Sequence, residues 1–110
     1  MIQDRIAKIE ATLSNSPNIP AETRQELLTL LADLKAEVTP FATTHGAEAQ
    51  SITQLTDAAF EHATRDEKRS EETAQALEGL ASSVRDFEVS HPRLVQIVDR
   101  IALTLSNMGI

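Results

Sequence analysis

Three histidines are the residues of this chain best suited to chemistry near neutral pH, and their neighbours decide what each could do. His91 stands in an apolar heptad seam, directly before Pro92. There it could sense pH, because protonation would place charge where desolvation is costly, or it could satisfy a backbone group at a helix junction. His62 and Asp66 lie four apart, on one face of any helix that carries them, which aims two ligands at one ion but leaves the site incomplete. His45 falls in a stretch of helix breakers and could be brought close to that ion only by a fold that the sequence pattern does not predict. The paired Glu-x-x-His pattern of di-iron bundles is absent, since of Ala42, Ala59 and Glu88, which stand three residues before His45, His62 and His91, only the third fits, once, at the helix junction. The expectation is no metal and no cofactor.

Other routes to catalysis are equally thin. The chain has no cysteine nucleophile, no Gly-x-Ser-x-Gly turn and, with three glycines in all, no phosphate-cradling loop. Its carboxylates are spaced as solvent-facing charge on helices, so no acid and base stand out as a pair. The chain reads as a non-enzyme.

Its 110 residues suit one domain with a modest core. With no Cys, Trp or Tyr and three Phe, that core must be built from Leu, Ile, Val and Ala, as helix bundles are. A cysteine-free chain excludes disulfides and fits a reducing compartment. The opening Met-Ile-Gln-Asp-Arg lacks a signal-peptide pattern, and no apolar run is long enough for a bilayer, so the expected location is cytoplasmic. Net charge is -7, with the largest acidic excess between Glu61 and Glu88. That distribution argues against nucleic acid and anionic membrane and leaves another protein, or a second copy, as partner.

The elements that must position these residues are helices. Ile2, Ile6, Ile9 and Leu13 form the stripe of a first helix, with Asp4 and Lys8 as an i,i+4 pair, and residues 14–18 stop it around Pro17. A second helix starts near Pro20, carries Glu22 at its positive end, and runs through Leu27, Leu31, Leu34 and Val38, with Leu28 and Leu30 widening the stripe. Pro40 and Gly46 mark residues 39–46 as a linker. Beyond it Ala49, Ile52, Leu55, Ala59, Phe60 and Ala63 define a third helix, followed by the polar run 65–72. Strong helix formers and the pairs Glu61/Arg65 and Lys68/Glu72 favour one continuous helix through that run. From residue 47 to 88 it would be about 60 Å long, too long for the shorter helices to cover, which is the main argument for a homodimer.

The heptad seam places Leu77, Val84, His91, Val98 and Leu105 in one column and Leu80, Phe87, Leu94, Ile101 and Met108 in the other. Across it the chain either continues as a helix kinked at Pro92 or, the preferred reading, opens a last helix with Ser90 as N-cap and Pro92 in the first turn, running to about Asn107 with Asn107 or Gly109 as its C-terminal cap. A short echo, Asp4-Arg5-Ile6-Ala7 against Asp99-Arg100-Ile101-Ala102, does not hold a constant interval and is not a repeat.

The string Phe87-Glu88-Val89-Ser90-His91-Pro92-Arg93-Leu94, with Arg100-Ile101-Ala102 and the ending Leu105-Ser106-Asn107-Met108-Gly109-Ile110, resembles a family of short bacterial proteins catalogued as domain of unknown function 4404. The stretches Glu22-Thr23-Arg24-Gln25-Glu26-Leu27-Leu28 and Leu31-Ala32-Asp33-Leu34 are similar to that family's N-terminal helix. The resemblance implies a small helical bacterial protein with no established activity and transfers no catalytic residues.

The expected fold is all-α: a helical hairpin over residues 1–38, a linker over 39–46, and a heptad-patterned region over 47–110 with a long helix and a C-terminal helix, coiled-coil or bundle-like, in one domain. The expected role is noncatalytic self-association or an adaptor function through the ten seam residues. The alternative is a monomeric bundle acting as a regulatory binding module for a basic or helical partner.

Overall fold

A computed structural model describes residues 2–17, 19–64 and 70–108, and within them the chain is all-α. Five helices follow one another: α1 (Ile2–Ser14), α2 (Ala21–Thr44), α3 (Gly46–Thr64), α4 (Ser70–Ser83) and α5 (Pro92–Ser106), with one turn of 3-10 helix at Arg85–Phe87 before α5. In the four-helix arrangement of α2 to α5, α2 and α4 each pack against α3 and α5, α3 and α5 also touch across the bundle, and α2 and α4 stand apart on the other diagonal. Helix α1 lies across α2 and α3.

The apolar spacings explain this packing. Ile6, Ile9 and Leu13 of α1, Leu27, Leu31, Leu34 and Val38 of α2, and Ala49, Ile52 and Ala59 of α3 are all at most 2% exposed and share one core with α4 and α5. The connection from α1 to α2 is held by Ile19, which is buried, and by Arg24, whose Nη2 donates to the carbonyls of Ser16 and Ile19 at 2.8 and 3.0 Å. Lys8 does not take Asp4 as its partner. It reaches Asp57 of α3 at 3.6 Å, beside Arg5 at 3.1 Å, so the charges of α1 tie it to its neighbour rather than to its own next turn. The buried threonines Thr53 and Thr56 donate to the carbonyls one turn back, at 2.8 and 2.7 Å, and so need no other partner.

Three expectations are corrected. The linker expected over residues 39–46 is mostly helix, because α2 runs through Pro40 to Thr44. Proline inside a helix removes one donor and crowds the preceding turn. Val38 and Phe41, at 0% and 3% exposure on either side of it, supply enough burial to carry the helix across. The break narrows to His45, whose φ of -131° and ψ of 55° turn the chain directly into α3.

The rod of about 60 Å does not form either. Helix α4 lies back against α3, with the Cβ position of Gly79 3.8 Å from Leu55 Cδ2, and the longest dimension of the chain is 37 Å. Residues 65–69, where continuity was expected, lie outside the described residues, as do the pairs Glu61/Arg65 and Lys68/Glu72. The radius of gyration, 13.0 Å, is that of a closed single domain of this length.

The third correction is one residue wide. His91, not Ser90, is the N-cap of α5, and Pro92 takes the first helical position, where its missing donor costs nothing and its fixed φ suits the helix. Asn107 caps the other end, as expected.

Candidate functional site

The ten seam residues divide between α4, the 3-10 turn with Val84 before it, the His91 elbow, α5 and, past the end of α5, Met108. Leu80, Val84, Leu94, Val98, Ile101 and Leu105 are at most 1% exposed within a single chain, and Leu77 is 8% exposed. Phe87, His91 and Met108 are half-buried at the edge of the same core. The seam folds back on itself at the elbow, so its two halves face one another as a hairpin that α2 and α3 complete. Association through these residues would require the bundle to open.

At the elbows the fold assembles a cluster of four rings. Phe41 stacks on His45, with ring centroids 4.7 Å apart and planes 6° from parallel, and meets Phe87 and His91 edge to face, each at 4.9 Å. Phe87 stands edge to face with His45 at 5.4 Å and with His91 at 6.1 Å. The two imidazole centroids are 5.6 Å apart, with planes at 80°. Edge-to-face geometry sets the positive rim of one ring against the negative face of the next.

Each histidine is placed by the same local device. His45 N–H donates to the Phe41 carbonyl at 2.9 Å, and His91 N–H to the Phe87 carbonyl at 2.7 Å. Each carbonyl then accepts from the following helix, His45 from Ala49 at 2.9 Å and His91 from Val95 at 3.3 Å. The backbone angles of His91, φ -138° and ψ 62°, nearly match those of His45. Each Nδ1 sits beside the hydroxyl of the preceding residue, Thr44 Oγ1 at 2.8 Å and Ser90 Oγ at 3.0 Å. The shared pattern is Phe-x-x-(Ser/Thr)-His followed by a new helix.

The interval from Phe41 to Phe87 and from His45 to His91 also separates Leu31 from Leu77, Leu34 from Leu80, Val38 from Val84, Ile52 from Val98 and Ala59 from Leu105. Every one of these positions except Phe87 and the histidines is buried. The hairpins α2–α3 and α4–α5 thus carry matching buried positions at one constant interval. The echo between the chain ends missed this interval, although the two Phe-x-x-(Ser/Thr)-His strings were legible. Helix α1 sets the two hairpins apart. Where it covers Thr53 and Phe60 of α3, the matching residues of α5 are Asp99 and Ser106, which are exposed and polar.

The outer face shared by α2 and α5 is the other distinctive surface. Two adjoining hollows, about 630 Å³ and about 770 Å³, run along it and share Glu26 and Arg100. Leu30 and Ile97, each 7% exposed, form the apolar floor. Glu22, Glu26 and Asp33 line the α2 side, and Arg93 and Arg100 the α5 side, where Arg93 Nε already holds Glu37 Oε1 at 2.7 Å. Leu103, 61% exposed, lies at the lower end.

His62 stands near the far end of α3, about 25 Å along the helix from His45 at the usual rise, and Asp66 lies outside the described residues. Among the described residues no group of three or more His, Cys, Asp or Glu converges as metal ligands. No described helix is long and apolar enough to cross a membrane.

The comparisons with known proteins give a family and no activity. The model of the domain of unknown function DUF4404 matches residues 31–110, and the chain belongs to that family. The matched span holds both elbows and all four rings. None of the curated proteins and none of the solved structures compared matches the chain.

Proposed function

We propose that this chain is a noncatalytic helical module of the bacterial cytoplasm that works by binding another protein, and that the α2–α5 outer face receives a basic amphipathic helix. One observation carries the reading: the heptad seam is closed inside the monomer, while the α2–α5 face keeps an apolar floor at Leu30 and Ile97 beneath a row of acids. A helix laid in such a groove buries its own apolar stripe on the floor. Of the charges lining the groove, Glu22, Glu26 and Asp33 outnumber Arg100 once Arg93 is spent on Glu37, so basic flanking residues on the incoming helix are favoured. The net charge of -7 acts in the same direction by steering cationic partners.

The test is photo-crosslinking in cells from Thr29 and Gln96, which line the groove, with Ser106 on the solvated outer side of α5 as control. The reading expects one dominant adduct from the two groove positions, to a basic segment of helix, and none from Ser106. Adducts only between copies of this chain would replace the partner with self-association. Equal labelling from Ser106, or no adduct, would end the proposal.

A further inference from the structure

We infer that His45 and His91 form a two-histidine site for a borderline divalent transition metal, Zn²⁺ or Ni²⁺, open to water at its remaining positions. The chain holds three histidines, and folding brings two of them together from separate hairpins of the matched family region. An ion bound about 2.0–2.1 Å from an imidazole nitrogen holds two such rings with centroids about 5–6.5 Å apart, for ligand angles from tetrahedral to linear. The observed separation is 5.6 Å.

The rings are also fixed in a manner suited to ligation. Thr44 and Ser90 engage the two Nδ1 atoms, and a metal-binding histidine is normally held through its second nitrogen in this way. The Thr44 hydroxyl lies 3.5 Å from the Phe41 carbonyl and 2.8 Å from His45 Nδ1; in the tautomer whose Nδ1–H donates to that hydroxyl, Nε2 keeps its lone pair for an ion. Both rings are half-buried and so reachable by a hydrated ion. Phe41 and Phe87 pack round them and restrict their rotation. With no third His, Cys, Asp or Glu converging among the described residues, water or an incoming group completes the shell. Imidazole ligands select Zn²⁺, Ni²⁺ and Cu²⁺ over Mg²⁺.

If the rings only fill space, phenylalanine will serve as well, and this separates the two roles. Metal that binds the folded chain raises its unfolding midpoint, so about 1 mM Zn²⁺ is expected to raise that of the wild type by several degrees, and the same concentration of Mg²⁺ to leave it unchanged. His45→Phe and His91→Phe should each abolish most of the shift, and His62→Ala should keep it. No shift in the wild type, or a shift that survives either Phe variant, would overturn the site. A second measurement needs no variant: in imidazole NMR of the wild-type chain, Zn²⁺ should move the Nε2 signals of His45 and His91 along one binding curve. Movement of His62 alone, or two unrelated curves, would refute the assignment.

Discussion

Ile101 offers the sharpest test of whether the seam belongs to the monomer. It lies in α5 at 0% exposure, inside the core that α2 to α5 share. Ile101→Ala removes three carbons, worth about 2.4 kcal/mol at about 0.8 kcal/mol each, and leaves a cavity that raises the cost to about 3–4 kcal/mol. A domain of this size is stable by about 5–15 kcal/mol, so the variant should remain folded. At about 4–8 °C per kcal/mol for domains near this length, its midpoint should fall by roughly 12–30 °C. The assay is thermal unfolding by circular dichroism at two protein concentrations about 100-fold apart. A seam closed within one chain gives midpoints independent of concentration for both proteins. A seam closed between copies would lose about 2.7 kcal/mol of stability over that dilution, by mass action. A wild-type midpoint that falls on dilution, or an Ile101→Ala cost under about 1 kcal/mol, would refute the placement.

Gly79→Ala should stabilise the chain by about 0.5–1 kcal/mol in denaturant titration, because Gly79 is a helix-interior glycine whose added Cβ would meet Leu55 at an ordinary 3.8 Å. Pro40→Ala should also stabilise, by about 1–2 kcal/mol, since the recovered helix propensity exceeds the loss of unfolded-state restriction; destabilisation would mean that the proline sets the course of α2 into the His45 elbow. Arg24→Ala should cost about 1–3 kcal/mol, by loss of the charged donor to Ser16 and Ile19, and should speed amide exchange in α1 more than in α4.

The helices and most of the core were legible because the periodic apolar spacing is itself the physical cause of burial. Ile6, Leu31, Ile52 and Leu94 are buried where the pattern places them. Two local signals misled. Pro40 is unfavourable in any helix, yet a propensity cost of about 3 kcal/mol is local, whereas the burial of Val38 and Phe41 is a tertiary gain that no window of sequence contains. The heptad count ran across His91 without slipping because helical stripes on both arms of a hairpin can share a register by accident. Nothing in that count distinguishes a straight rod from one folded in half. The ring cluster was half legible: the recurring Phe-x-x-(Ser/Thr)-His was on view, but the meeting of its two copies depends on the order of helices round the bundle. The α2–α5 groove was illegible, since the stripe of Leu27, Leu30, Leu31 and Leu34 does not say which of its edges a neighbour leaves uncovered.

The near-equivalence of the two hairpins has a consequence for exchange between molecules. Whatever surface α4–α5 presents to α2–α3 of its own chain, it presents equally to α2–α3 of another, so two opened chains can close on each other with every core contact kept. Such an intertwined pair would keep the helix contacts of two monomers, and concentration would select between them. The residues that hold one chain shut are thereby the residues that would hold a swapped dimer together.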